Sequence, residues 1–166
     1  IEFAGRYTDA RMICITGSNG KTTTTSLIYH ILKKAGVDVG LAGNIGHSLA
    51  LQVAQAPHST YVIELSSFQL DNMYKFHANI AVLLNITPDH LDRYGFKMQN
   101  YVDSKMRILQ NQTSADTFVY WKEDEHVPTE LPRYNTPSQV CGFTDEEQAN
   151  SSGYATADTF VVNSPV

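Results

Sequence analysis

Residues 15–25 read ITGSNGKTTTT, a run whose residue types and spacing suit the gripping of phosphate. Gly17 and Gly20 let the backbone turn tightly, so that successive N–H groups can face phosphate oxygens where a helix begins. The Lys21 ammonium would reach the outer phosphates of a nucleoside triphosphate, and the Thr22 hydroxyl, with Thr23 beside it, would ligate Mg²⁺. The usual phosphate-loop pattern has a glycine where this chain has Ile15, so the match is to a shortened variant. A GKT triplet alone is a weak signal. Here it stands between a buried strand and an amphipathic helix, and that context makes a phosphate site of it.

Three further features carry ionisable groups. Glu64 ends an otherwise apolar strand and is followed by Ser66 and Ser67. A carboxylate there suits Mg²⁺, which takes oxygen ligands, or is simply a solvated strand-end acid. In NITPDHLDRY, residues 85–94, Pro88 breaks a strand, and Asp89, His90 and Asp92 crowd one turn. A lone loop histidine is as a rule incidental, but three ionisable groups in four residues after a central strand point toward a site. Lys105 falls inside the apolar stripe of a helix, among Tyr101, Val102, Ile108 and Leu109. It either snorkels to water or has a role that burial would suit, because a buried amine favours its neutral form, which can attack CO₂ or a carbonyl.

The elements that must position these groups alternate between apolar runs and helical patterns, the mark of a mostly parallel α/β sheet flanked by helices. RMICIT (11–16) reads as a buried strand and 21–35 as a helix with Leu27, Ile28, Ile31 and Leu32 on one face and Gly36 as its stop. VDVGLAG (37–43) reads as a short strand and 47–54 as a helix. TYVIEL (60–65) and NIAVLLNI (79–86) are apolar almost throughout, as central strands covered on both faces should be. A helix over 98–110 leads to the strand DTFVYW (116–121). Beyond it, 122–150 is polar apart from QVCGF, and the final TADTFVVNSPV reads as a hairpin arm or a strand cut short. The 166 residues allow one packed core and not two ordinary domains. A net charge of −5 speaks against a nucleic-acid surface, and no apolar run approaches the roughly 20 residues of a membrane span. Cys14 and Cys141 lie far apart in different apolar segments, which reads as two buried thiols in a reducing cytoplasm rather than a disulfide or metal pair.

Taken together, GSNGKTTTT, GNIG (43–46), ELSSFQL (64–70), NITPDHLDRY and YVDSK (101–105) resemble the Mur ligase family, and within it the D-glutamate-adding members most closely. The resemblance fades beyond about Trp121, where the family's asparagine and aspartate after the strand are met here by Lys122, Glu123 and Asp124. It implies a three-layer fold like that of phosphate-loop nucleotidases. The 166 residues would then be a single, truncated central ATP-binding domain, without the N-terminal UDP-sugar and C-terminal amino-acid domains. The implied activity is an ATP-dependent amide ligase of cell-wall precursor synthesis, cytoplasmic and monomeric, with no nucleic-acid or membrane partner. It would join D-glutamate to UDP-N-acetylmuramoyl-L-alanine through an acyl phosphate. By the same resemblance, Gly17, Ser18, Asn19, Gly20, Lys21, Thr22 and Thr23 hold ATP, and Asn44 and Ser66 face the substrate. Lys21, Glu64, His90 and Lys105 are the implied catalytic residues, and Thr22, Glu64, His90 and a carbamylated Lys105 hold two Mg²⁺ ions. Asp89, Asp92 and Arg93 would support the loop. Against this stand another ligase of the superfamily, such as a folylpolyglutamate synthase, and a non-catalytic nucleotide-binding module.

Overall fold

The computed structural model describes residues 1–148, 150–156 and 158–163. Its centre is an eight-stranded sheet: β1 (Arg11–Thr16), β2 (Val39–Gly43), β3 (Thr60–Glu64), β4 (Ile80–Leu83), β5 (Thr117–Trp121), β6 (Gln139–Thr144), β7 (Gly153–Ala155) and β8 (Phe160–Val162). The spatial order is β2-β3-β1-β4-β5-β6-β7-β8, and every pairing is parallel except the antiparallel β7–β8. The chain leaves β1 toward β2 and β3 on one side and later returns to β4 on the other. β1 is therefore the switch point, where an open α/β sheet leaves a crevice at its carboxyl edge.

Strand β1 shows how the layers form. Its alternate side chains Met12 and Cys14 enter one apolar cluster with Tyr61, Leu83, Tyr101 and Met106, whereas Ile13 and Ile15 enter the opposite cluster with Val62 and Val82. The helix α1 (Lys21–Lys34) covers the second cluster, and α2 (Leu49–Gln55), α3 (Ser67–Leu70) and α4 (Met98–Met106) contribute to the first. A further turn of helix, α5 (Val127–Glu130), sits over the first cluster through Val127.

The expected face of α1 needs correction. Ile28 and Leu32 do pack on the sheet, but Leu27 and Ile31 are each 56% exposed. The buried stripe runs instead through Thr24, Thr25, Ile28, Tyr29 and Leu32, a 3.6-residue period that places Leu27 and Ile31 one position off it. The expected 98–110 helix is α up to Met106 and tightens to a 3₁₀ turn over Arg107–Leu109. Cys14 is buried, but Cys141 is only half-buried on β6. In the polar tail the strand around QVCGF is β6, and β7 with β8 forms the hairpin; Ala157 and residues 164–166 of that segment lie outside the described residues.

Candidate active site

The glycine loop joins β1 to α1. Gly17 (φ 152°) and Gly20 (φ 81°) both take conformations that L side chains rarely adopt. The first helical bond runs from the Thr24 amide to the Gly20 carbonyl at 3.0 Å, so the amides of Lys21, Thr22 and Thr23 point out of the helix start toward the crevice. Lys21 folds back over the loop, its Nζ donating to the carbonyls of Gly17 (2.9 Å) and Ser18 (3.0 Å).

Ser18 and Asn19 are in the loop as expected, but they use their polar groups inward. The Ser18 amide donates to the Asn85 carbonyl and the Asn19 amide to Asn85 Oδ1. Ser18 Oγ donates to the Thr87 carbonyl, accepts from the Thr87 amide and lies 3.0 Å from the Tyr101 hydroxyl. These bonds lock the phosphate loop to the segment after β4. Asn85, Thr87 and Tyr101 are thus site-building residues that the sequence left unassigned. Asn85 and Thr87 stood in plain view within NITPDH, whereas Tyr101 carried no signal beyond its place in an apolar stripe.

Glu64 is only 2% exposed, which removes the reading of a solvated strand-end acid. Its carboxylate accepts from Thr22 Oγ1 at 2.7 Å and from Asn44 Nδ2 at 2.9 Å. Gly43 makes that approach possible. Its φ is +100°, and a Cβ there would lie 2.1 Å from the Glu64 carbonyl oxygen, so no side chain fits between the ends of β2 and β3. A hydroxyl beside a carboxylate at the mouth of a phosphate loop is the hard-oxygen pairing that Mg²⁺ favours, with water and phosphate completing its shell. Thr22 and Glu64 therefore fit that ion. Thr23 is exposed. Among the described residues, no three His, Cys, Asp or Glu side chains group closely enough to form a metal cage of their own.

Lys105 does not snorkel. At 2% exposure it donates from Nζ to the Gly17 carbonyl (2.8 Å) and Thr16 Oγ1 (3.3 Å), 5.2 Å from the Tyr101 ring. Burial, followed by the charge of Lys21, lowers its pKa to about 7, against a smaller pull upward from Asp89, Asp71 and Glu64. His90 sits in a left-handed conformation (φ 50°), with its ring 5.2 Å from that of Phe68 and Nε2 3.5 Å from Asp89 Oδ2. Arg93 stacks on Phe68 at 4.2 Å, a supporting role, while Asp89 belongs to the site wall.

These pieces meet. One cavity of about 150 Å³ is lined by Lys21, Asn44, Ser66, His90 and Lys105, with Ser67, Phe68, Asp89 and Tyr101 completing it. Five segments distant in sequence thus present two amines, an imidazole, a carboxylate, an amide and three hydroxyls to one space beside the phosphate loop. Ser66 reaches it as the N-cap of α3, in a reciprocal capping box with Gln69 that fixes the turn after Glu64. Thr22 and Glu64 adjoin the cavity through Asn44.

The chain is similar to known proteins over nearly all its length. It is 61% identical to a UDP-N-acetylmuramoylalanine–D-glutamate ligase of Bacteroides fragilis over 166 residues, covering 100% of this chain and 37% of that protein. The chain thus spans well under half the length of such relatives. Its fold matches a UDP-N-acetylmuramoyl-L-alanyl-D-glutamate–2,6-diaminopimelate ligase (TM-score 0.73, 21% identity, 92% of this chain and 37% of that one). It also matches the MurF ligase from Thermotoga maritima in complex with ADP (TM-score 0.68, 21% identity, 96% of this chain and 39% of that one). The profile of the Mur ligase middle domain covers residues 15–163, and the chain belongs to the Mur ligase family.

Proposed function

We propose that this chain is the ATP-binding catalytic domain of a ligase that joins D-glutamate to UDP-N-acetylmuramoyl-L-alanine in cell-wall precursor synthesis. The observation that carries the reading is the convergence of Lys21, Asn44, Ser66, His90 and Lys105 on one cavity beside the phosphate loop. The names of the relatives favour D-glutamate over the amino acids used elsewhere in the family. The ADP bound by a neighbour of the same fold favours an adenine nucleotide.

In this reading the substrate carboxylate attacks the γ-phosphate of ATP, giving an acyl phosphate and ADP. The amine of D-glutamate then displaces phosphate to form the amide. The first step brings anions together, so positioning and charge neutralisation dominate. Lys21 and the first amides of α1 hold the β- and γ-phosphates, while Asn44 and Ser66 orient the acceptor. Thr22 and Glu64 would hold one Mg²⁺ and His90 with a carbamylated Lys105 a second. Such ions would neutralise phosphate charge during transfer. Carbamylation needs the neutral amine, which attacks CO₂ to form an N–C bond and releases one proton to solvent. Burial of Lys105 supplies that neutral form. The enzyme would be cytoplasmic and monomeric, with flanking UDP-sugar and amino-acid domains and no nucleic-acid or membrane partner. Among the described residues no helix is long and apolar enough to cross a membrane.

The test is an assay of the full-length protein with ATP, Mg²⁺, UDP-N-acetylmuramoyl-L-alanine and a panel of amino acids. Amide formation with D-glutamate alone is expected. Turnover with another amino acid or with folylpolyglutamate, or none at all, overturns it. The 166-residue chain by itself should bind ATP weakly and ligate nothing. Within the active enzyme, Glu64→Gln should raise the Mg²⁺ requirement at least about tenfold, because a neutral amide is a poor ligand for a hard cation. An unchanged requirement removes Glu64 from the metal site.

A further inference from the structure

The Tyr94 side chain is not among the groups that line the cavity, yet it ties together three of the elements that carry them. The turn of residues Leu91–Tyr94 follows His90 directly, and its one buried residue is Tyr94. The Tyr94 hydroxyl donates to Asp71 Oδ2 at 2.9 Å, at the C-cap of α3, the helix capped by Ser66. It also lies 3.1 Å from Ser104 Oγ, on α4 one residue before Lys105, and Ser104 in turn donates to the Ser67 carbonyl at 3.1 Å. The ring stacks with Phe68 (6.5 Å, 15°) and tilts against Tyr101 (5.3 Å), both in the cavity wall.

His90 itself has no comparable anchor. Its side chain is 54% exposed, its one polar contact among the described residues is that with Asp89 at 3.5 Å, and its backbone sits in the left-handed region. Besides the Phe68 ring packed on it at 5.2 Å, itself stacked on Tyr94, the direction of its imidazole depends on the turn that follows it. We infer that Tyr94, held by Asp71, is a positioning residue of the ligase, setting His90 against Lys105 through one buried hydroxyl shared by the His90 turn, α3 and α4. The inference rests on the proposed ligase reading for its kinetic consequence and on geometry alone for its structural one.

The experiment uses the full-length protein with Tyr94→Phe, Asp71→Ala, Asp71→Asn and the double variant Tyr94→Phe/Asp71→Ala. Tyr134→Phe is the control, because Tyr134 also donates to a carboxylate of α4, Asp103 at 2.8 Å, but away from the cavity. Tyr94→Phe should lower kcat about tenfold to a hundredfold, the scale of a misplacement near 1 Å, while KM for ATP stays within about twofold. Asp71→Ala should match it, Asp71→Asn, which keeps an acceptor, should recover most of the loss, and the double variant should be no worse than either single change. Tyr134→Phe should leave kcat unchanged. Hydrogen exchange of the amides of Arg93 and Phe96, which close the turn onto His90 and Leu91, should quicken in Tyr94→Phe while α1 keeps its protection.

Unchanged kcat in Tyr94→Phe, an equal loss in Tyr134→Phe, or additive losses in the double variant overturns the inference. If the wild-type protein makes no amide, the ligase reading falls by itself. The exchange measurement then decides the positioning role, and unchanged protection at Arg93 and Phe96 refutes it.

Discussion

Replacing Lys105 by Met should stabilise this domain at neutral and acidic pH while removing the amine on which the proposed chemistry depends. The buried ammonium sits among Tyr101, Val102 and Met106 on α4, near the like charge of Lys21, and among the described residues it bonds to Gly17 O and Thr16 Oγ1 alone. Its pKa falls from 10.5 to about 7 on folding. At about 1.4 kcal/mol per unit, that depression sets a ceiling near 5 kcal/mol on the cost of keeping the group charged. Methionine is similar in length and fills the space without charge, but it forfeits two hydrogen bonds. A net gain of about 1–4 kcal/mol at pH 6 is therefore expected, as when other buried charges give way to apolar side chains. The sign with pH follows from proton counting. Between pH 7 and 10.5 the unfolded chain holds a proton on Lys105 that the folded chain has released, so wild-type stability rises through that window and is lowest below it. The advantage of Lys105→Met should shrink by up to about 1.4 kcal/mol per pH unit above 7. Urea unfolding of both chains at pH 6, 7, 8 and 9 reads this directly. If Lys105→Met is less stable by the same amount at every pH, the charge of Lys105 is no burden and the argument from burial fails.

Three further changes test the scaffold around the site. Gly43→Ala puts a methyl 2.1 Å from the Glu64 carbonyl oxygen at a φ of +100°, and unfolding should show a loss of about 2–4 kcal/mol from strain and overpacking; a loss under about 0.5 kcal/mol would mean β2 and β3 can part freely. Asp124→Ala strips the acceptor from the amides of Ile86, His126 and Val127, at 2.8, 2.9 and 2.8 Å, and should cost about 2–4 kcal/mol and loosen the loop leading to His90, measured by unfolding and amide exchange. Glu2 is held at about 2 because, although burial pushes its carboxyl up, Arg6 and the amides of Phe76, Tyr74 and Lys75 outweigh that push; Glu2→Gln should therefore lose about 1–3 kcal/mol at pH 7, a difference that disappears as acid titrates the wild-type carboxylate between its unfolded value of 4.5 and 2.

The central sheet was legible because its strands are buried on both faces and so are apolar in long runs. Arg11–Thr16 emerges with the boundaries expected of it, while β3 loses one residue and β4 three at the carboxyl end, where the chain turns into the site, and β4 one more at its start. Elements whose stability comes from one contact rather than from periodicity were not read. The helix α3 is only four residues long, although Ser66 and Gln69 had the spacing of a capping box. Asp124 looked like one more acid in a polar stretch, and nothing local announces that three amides from two segments close on it. The error on α1 has the same origin, because Leu27 and Ile31 are apolar whichever way the helix is rotated, and only the sheet fixes the rotation.

The two lysines show why the site was partly legible and where its chemistry lies. Each had an ordinary reading alone, Lys21 in a short motif and Lys105 as a snorkelling side chain. In the fold both donate to the same carbonyl, that of Gly17, at 2.9 and 2.8 Å. Two ammonium groups on one oxygen repel each other, a repulsion offset by Gly17 O, Ser18 O and Thr16 Oγ1 and, for Lys105, by a smaller pull from Asp89, Asp71 and Glu64. Such an arrangement lowers its energy in two ways: by an anion arriving between the lysines, or by the more buried one giving up its proton. The first is what a phosphate loop is for, and the second prepares an amine to react. The sequence could place each lysine on its own element. The burial of Lys105 and its opposition to Lys21, which together lower its pKa, exist only once β1, α1 and α4 have packed.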